Sequence, residues 1–150
     1  MELIFYIASR GDIYDKLVAA ATFGRYSHVE IRFSDGMCFS SSSRDGGTRF
    51  KQIELNPLNW DIVPLSFVTK EQENEVRMWC ESQLGKAYDW RGILCFYLPG
   101  DIRDRSKWYC SDVCACALRE AAILNLPLKV SPSQMYKIVK KEMARRKNGV

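Results

Sequence analysis

One cysteine and one histidine define the chemistry open to this chain. After Trp108-Tyr109, the residues Cys110, Val113, Cys114, Ala117, Leu118 and Ala121 recur at i, i+3, i+4, i+7, i+8 and i+11. That spacing is a single apolar helix stripe with Cys110 in its first turn. Backbone N–H groups at a helix start lack intrahelical partners, and the dipole there favours negative charge. A sulfur so placed is favoured as the nucleophilic thiolate, and the same N–H groups suit an oxyanion formed beside it. His28 is the only histidine, so any imidazole base for Cys110 must be His28. It falls in residues 27–33, where Val29, Ile31 and Phe33 alternate with His28, Glu30 and Arg32. Such alternation marks a half-buried strand. A strand histidine facing the N-terminus of the cysteine's helix would complete a thiol–imidazole pair. Each residue also has a plain structural reading. A helix cysteine packs well as a small hydrophobe, and His28 shares its face with two charges.

The elements that must position this pair are legible around it. Residues 2–8 read as a first strand, and Asp12 suits the cap of a helix over 13–22. Asp35-Gly36 turns the histidine strand into a return strand over 37–43, and residues 44–47 form a second turn. Strands near 48–54 and 60–66 follow. Thr69-Lys70-Glu71-Gln72 is a capping box for a helix that Gly85 ends. Residues 86–107 are irregular and aromatic, and the cysteine helix runs from Cys110 to about Ile123. Ser131-Pro132-Ser133-Gln134 is a second capping box, with proline in the first helical turn. The pattern predicts one α+β domain over residues 1–150, with a central, mostly antiparallel sheet packed against helices.

Two blocks of the sequence resemble a known family. Ser27-His28-Val29-Glu30-Ile31, Asp35-Gly36, Ser40-Ser41-Ser42-Ser43 and Gly46-Gly47 form one block. Gly85-Lys86-Ala87-Tyr88-Asp89-Trp90 and Tyr109-Cys110-Ser111-Asp112 form the other. Together they resemble the NlpC-type papain-like cysteine hydrolases with the block order swapped, as in that superfamily's circularly permuted branch. The resemblance implies a permuted papain-like fold, Cys110 as nucleophile, His28 as base and Tyr88 near the oxyanion or substrate. It places the imidazole-orienting residue at Ser40, where relatives carry His, Asn, Gln or Glu. Hairpin geometry offers rivals. A two-residue turn pairs His28 with Ser43 and makes Ser41 its diagonal neighbour, whereas a three-residue loop makes Ser40 the diagonal neighbour. Glu30 is the only carboxylate close to His28 in sequence and on its face.

The implied activity is thiol-dependent acyl hydrolysis, first of a cell-wall-type peptide amide. Lipid or thioester acyl transfer and a non-catalytic binding module on the same fold are the alternatives. No cofactor is expected. A metal site from Cys95, Cys110, Cys114 and Cys116 lacks paired Cys-x-x-Cys spacing, with Cys114 and Cys116 on different helix faces. The net charge of +4 is concentrated at residues 137–147, whose six bases and one acid leave −1 for the remainder. This reads as a basic helix end offering a contact to an acidic surface, and no nucleic-acid partner is expected. The apolar runs are too short for a membrane span, and six scattered cysteines suit a reducing, cytoplasmic compartment.

Overall fold

The computed structural model describes residues 1–11, 24–94, 104 and 106–149. The helix expected over 13–22 and Cys95 lie outside these residues. Five strands form one antiparallel sheet: β1 (Glu2–Ile7), β2 (Tyr26–Arg32), β3 (Met37–Ser42), β4 (Gly47–Gln52) and β5 (Trp60–Pro64). Their order is β4-β3-β2-β1-β5, which puts the histidine strand at the centre. A short 3-10 turn (Ala8–Arg10) and helices α1 (Lys70–Ser82), α2 (Trp90–Leu94), α3 (Cys110–Glu120) and α4 (Pro132–Lys147) complete the described elements. None of them is long and apolar enough to cross a membrane.

Strand alternation sets the core. Leu3, Phe5, Val29, Ile31, Phe39 and Val63 bury one sheet face against Val113, Cys114, Ala117 and Leu118 of α3. Each such side chain contributes about 1.5–3 kcal/mol on leaving water. Helix α3 packs on β2 and β3, α4 on β2 and α3, and α1 on α3. Both capping boxes form, Thr69 with Gln72 on α1 and Ser131 with Gln134 on α4. Helix α3 is shorter than its apolar stripe suggests. It stops at Glu120, and Ala122 then adopts a positive φ of 51° that a continuing right-handed helix excludes.

The β2–β3 hairpin has a three-residue loop, not a strict two-residue turn. Phe33 N–H donates to Met37 O at 2.9 Å, and Gly36 takes φ +86°. Pairing runs Arg32↔Cys38 and Ile31↔Phe39 and stops there. Beyond that point β3 stays with β4, from Met37↔Gln52 to Ser42↔Gly47, while β2 stays with β1. The start of α3 faces the place where β2 and β3 part. The Cys114 sulfur lies 3.7 Å from Val29 O and 3.9 Å from Phe39 O, touching both strands.

The segment carrying Tyr88 is stitched between β4 and the entry to α3. Thr48 N–H donates to Lys86 O, Trp108 N–H to Ala87 O, and Asp89 N–H to Trp108 O. Gly47 permits the first of these approaches. Its φ is +150°, and a Cβ there would lie 2.0 Å from Lys86 O, which is backbone and has no room to yield. Gly47→Ala should therefore destabilise the fold by about 2–3 kcal/mol, read as a lower urea midpoint at unchanged slope. Gly46→Ala, which meets no atom within 4 Å but also has positive φ, should cost about 1 kcal/mol.

Candidate functional site

Cys110 begins α3 and is 2% exposed. Its N-cap, Tyr109, has extended backbone and no side-chain capping bond, so no capping side chain competes for the first-turn N–H groups. The sulfur lies 4.0 Å from Ser27 O, which brings it against β2 at the histidine. The helix entry is anchored from both sides: Ser111 Oγ donates to Val130 O at 2.7 Å, and Ser41 Oγ donates to Trp108 O at 2.6 Å.

His28 bridges the sulfur and a buried acid. Its Nε2 lies 2.8 Å from Glu30 Oε1, and the Cys110 sulfur is the other group that acts on the ring. With Nε2 engaged by Glu30, Nδ1 is the nitrogen left for sulfur. Burial pulls the imidazolium down, but the Cys110 sulfur and then Glu30 outweigh it and raise His28 to about 10. Alternation explains why Glu30 reaches the ring, since residues i and i+2 share a strand face.

Glu30 is 1% exposed, and a lone carboxylate there would be neutral or ruinous to stability. Arg49 of β4 resolves this by a fork across the sheet face: Nη1 donates to Oε2 at 2.8 Å and Nη2 to Oε1 at 2.6 Å. Burial pushes Glu30 up, yet His28 and Arg49 together hold it below the usual carboxylate range. Arg49 Nε in turn donates to Asp45 Oδ2 at 2.8 Å, and Lys51 Nζ reaches Asp45 Oδ1 at 3.0 Å. Partial burial opposes ionisation of Asp45, but Arg49 and Lys51 draw it down to about 2. The ion chain thus runs from the thiol to the surface of β4.

Ser40 is engaged elsewhere. It is fully buried, its Oγ donates to Val29 O at 2.7 Å, and Cys114 Sγ lies 3.9 Å away. The hydroxyl satisfies a carbonyl that lost its ladder partner where β2 and β3 part. Diagonal neighbourhood in an ideal hairpin does not survive that parting. Ser41 bonds Trp108, and Ser43 lines a cleft beside His28.

That cleft has a volume of about 560 Å³ and includes His28, Glu30, Arg49 and Lys51. Two edge-on aromatic pairs line it as well, Tyr6 with Trp60 at 5.0 Å and Tyr88 with Trp90 at 4.9 Å. Tyr88 therefore shares a cavity with the imidazole. The other described cysteines are guarded thiols. Burial pushes Cys38 up to about 11 and raises Cys80, Cys114 and Cys116 as well.

Sequence alone does not single out Arg49. The available signal was an acid, Glu30, on a central strand beside the histidine, because such an acid demands a cation. A scan against protein-family models and a search of curated proteins both find no match to this chain.

The contacts separate Ser40 from Glu30 experimentally. Ser40→Ala orphans a buried carbonyl and should cost about 1–3 kcal/mol in denaturant titrations. It should leave the alkylation rate of Cys110 within about twofold of wild type, because less than about 0.4 kcal/mol of ring positioning depends on it.

Proposed function

We propose that this protein is a cysteine hydrolase of permuted papain-like architecture that cleaves amide bonds, with a cell-wall-type peptide amide the leading substrate. The observation that carries this reading is His28, hydrogen-bonded to a buried carboxylate on a strand against which a helix-initiating cysteine places its sulfur. Cysteine, imidazole and an imidazole-orienting group in that order are the working parts of thiol acyl transfer. Glu30, the carboxylate on the histidine's own strand face, takes the orienting role in this mechanism.

In the first half-reaction the Cys110 thiolate attacks the substrate carbonyl carbon. A C–S bond forms and the carbonyl π pair moves to oxygen. The Cys110 backbone N–H and Tyr88 receive the oxyanion, where preorganised donors lower the barrier most. As the C–N bond breaks, His28 gives its proton to the departing amine. In the second half, His28 takes a proton from water, the hydroxide adds to the thioester carbon and the C–S bond breaks. The product leaves as a carboxylic acid that gives its proton to solvent, and the thiolate and imidazolium return.

Acyl transfer to another acceptor shares the first half, and the rings lining the cleft suit an acyl chain, so lipid or thioester acyl transfer is the second reading. A reducing cytoplasm suits the five described cysteines, all unbridged. The basic end of α4 is proposed to meet an acidic surface.

A thiol-directed probe tests the class before any substrate is known. Iodoacetamide at pH 7 should modify Cys110 faster than Cys38, Cys80, Cys114 or Cys116, and His28→Ala should slow that reaction at least tenfold. On an amide or ester substrate, Cys110→Ala should fall to background while melting normally, and His28→Ala should lose about 100-fold or more. Turnover should persist through neutral pH and decline in the alkaline range as His28 loses its proton near 10. An unreactive Cys110 together with inactivity on every acyl substrate would favour a binding module.

A further inference from the structure

We infer that Arg49 is a positioning residue for catalysis, acting on His28 through Glu30 and not through substrate. This deepens the thiol-hydrolase reading and rests on it. Three features of the geometry point this way. The guanidinium spans both Glu30 oxygens, and Oε1, the oxygen facing His28 Nε2, takes the shorter of the two bonds at 2.6 Å. Its third donor, Nε, is taken by Asp45, so all three nitrogens hold one orientation. The Arg49 side chain is 17% exposed, and its β4 position opposite Ser40 fixes it above the parted strands.

A structural ion pair is the plain alternative, and burial alone would explain it. The difference lies in what the carboxylate holds. Glu30 is shared: the same oxygen that Arg49 grips orients the imidazole. A carboxylate released from the fork has its remaining rotamers open, and Nε2 loses a fixed acceptor. Lysine cannot reproduce the fork, because an ammonium presents a point charge where two parallel N–H bonds are required.

The electrostatic sign is fixed by the neighbours. Glu30 is faced by His28 and Arg32 of β2, Cys38 of β3, Arg49 and Lys51 of β4, and Asp45 in the preceding turn. Glu2 and Tyr6 lie on β1 alongside, and Cys110 and Cys114 approach from α3. Arg32 is committed to Glu2 and Lys51 to Asp45. Removing Arg49 therefore leaves Glu30 with His28 as its one direct cationic partner among the described residues. Without the fork the imidazole sits less firmly beside the sulfur, and the Glu30 charge falls on His28 alone. Both effects make Cys110 less reactive at neutral pH.

The experiment follows iodoacetamide modification of Cys110 against pH, with Cys38 as internal reference, in wild type, Arg49→Gln, Arg49→Lys, Asp45→Asn, Glu30→Gln and the Glu30→Gln/Arg49→Gln double variant. In Arg49→Gln the acid limb should rise by about one pH unit. Arg49→Lys should recover only part of that shift, and Asp45→Asn, which frees one end of the guanidinium, should shift less in the same direction. In the Glu30→Gln background, Arg49→Gln should add nothing, because there is no carboxylate left to position. An Arg49→Gln limb that coincides with wild type overturns the inference, as does full recovery by lysine or additivity in the double variant. If Arg49→Gln fails to fold, Asp45→Asn and Arg49→Lys decide by the same criteria. A wild-type Cys110 that reacts no faster than Cys38 refutes the hydrolase reading itself, and this inference with it.

Discussion

A carboxylate buried at the middle of a sheet costs several kcal/mol unless cations meet it on every open side. Glu30 is that carboxylate, and Arg49 and His28 are the cations. The requirement reaches well beyond the three residues. It dictates that β4 lie across from β2 on the same face, that β3 between them carry small side chains, and that the turn at Asp45 close near enough to clasp the guanidinium. Breaking one partner would leave a stranded charge, whereas the complete set is tightly specified. The imidazole thereby inherits an orientation set by the fold and not by its own packing.

The parting of β2 and β3 is the second constraint. Hydrogen-bonded strands leave no room for a helix terminus between them. Where the ladder ends at Ile31↔Phe39, backbone carbonyls of both strands become available, and α3 brings its first turns against them. Ser40 and Cys114 are the residues that make this opening tolerable. One gives a hydroxyl hydrogen to an abandoned carbonyl, and the other fills space with a soft, weakly polar sulfur. A serine run that looked like part of the chemistry is thus in good part the carpentry that admits Cys110 to its place beside His28.

Much of the architecture was legible because local signals agreed with one another. Period-two alternation at Val29, Ile31 and Phe33, the Asp35-Gly36 turn, and the capping boxes at Thr69 and Ser131 each act over a few residues, so they read directly from sequence. The expected strand beginning at residue 48 starts at Gly47, and the β5 strand ends at Pro64, differences of a residue or two that reflect where pairing stops. The Cys110 stripe likewise placed the thiol in its helix's first turn. What sequence did not disclose depended on register between distant segments. Whether Ser40 or Glu30 meets the imidazole turns on where β2 leaves β3, and Arg49 emerges only once β4 is laid beside the pair. Strand-face arithmetic treats hairpins as ideal ladders, and this one is deliberately incomplete.

The sequence separations within the site have a kinetic meaning. Arg49 and Glu30 are 19 residues apart along a meander, whereas Ser27 and Cys110 are 83 apart. Short loops close with less entropy lost than long ones, so the β2–β3–β4 meander can assemble its ion fork before α3 docks. On a ribosome the order is enforced further, because α3 emerges after the meander. The histidine is accordingly oriented by its ion partners before the cysteine's helix reaches it. The sulfur meets the imidazole only through a contact between distant segments, so their pairing belongs to the docked fold and to neither segment alone.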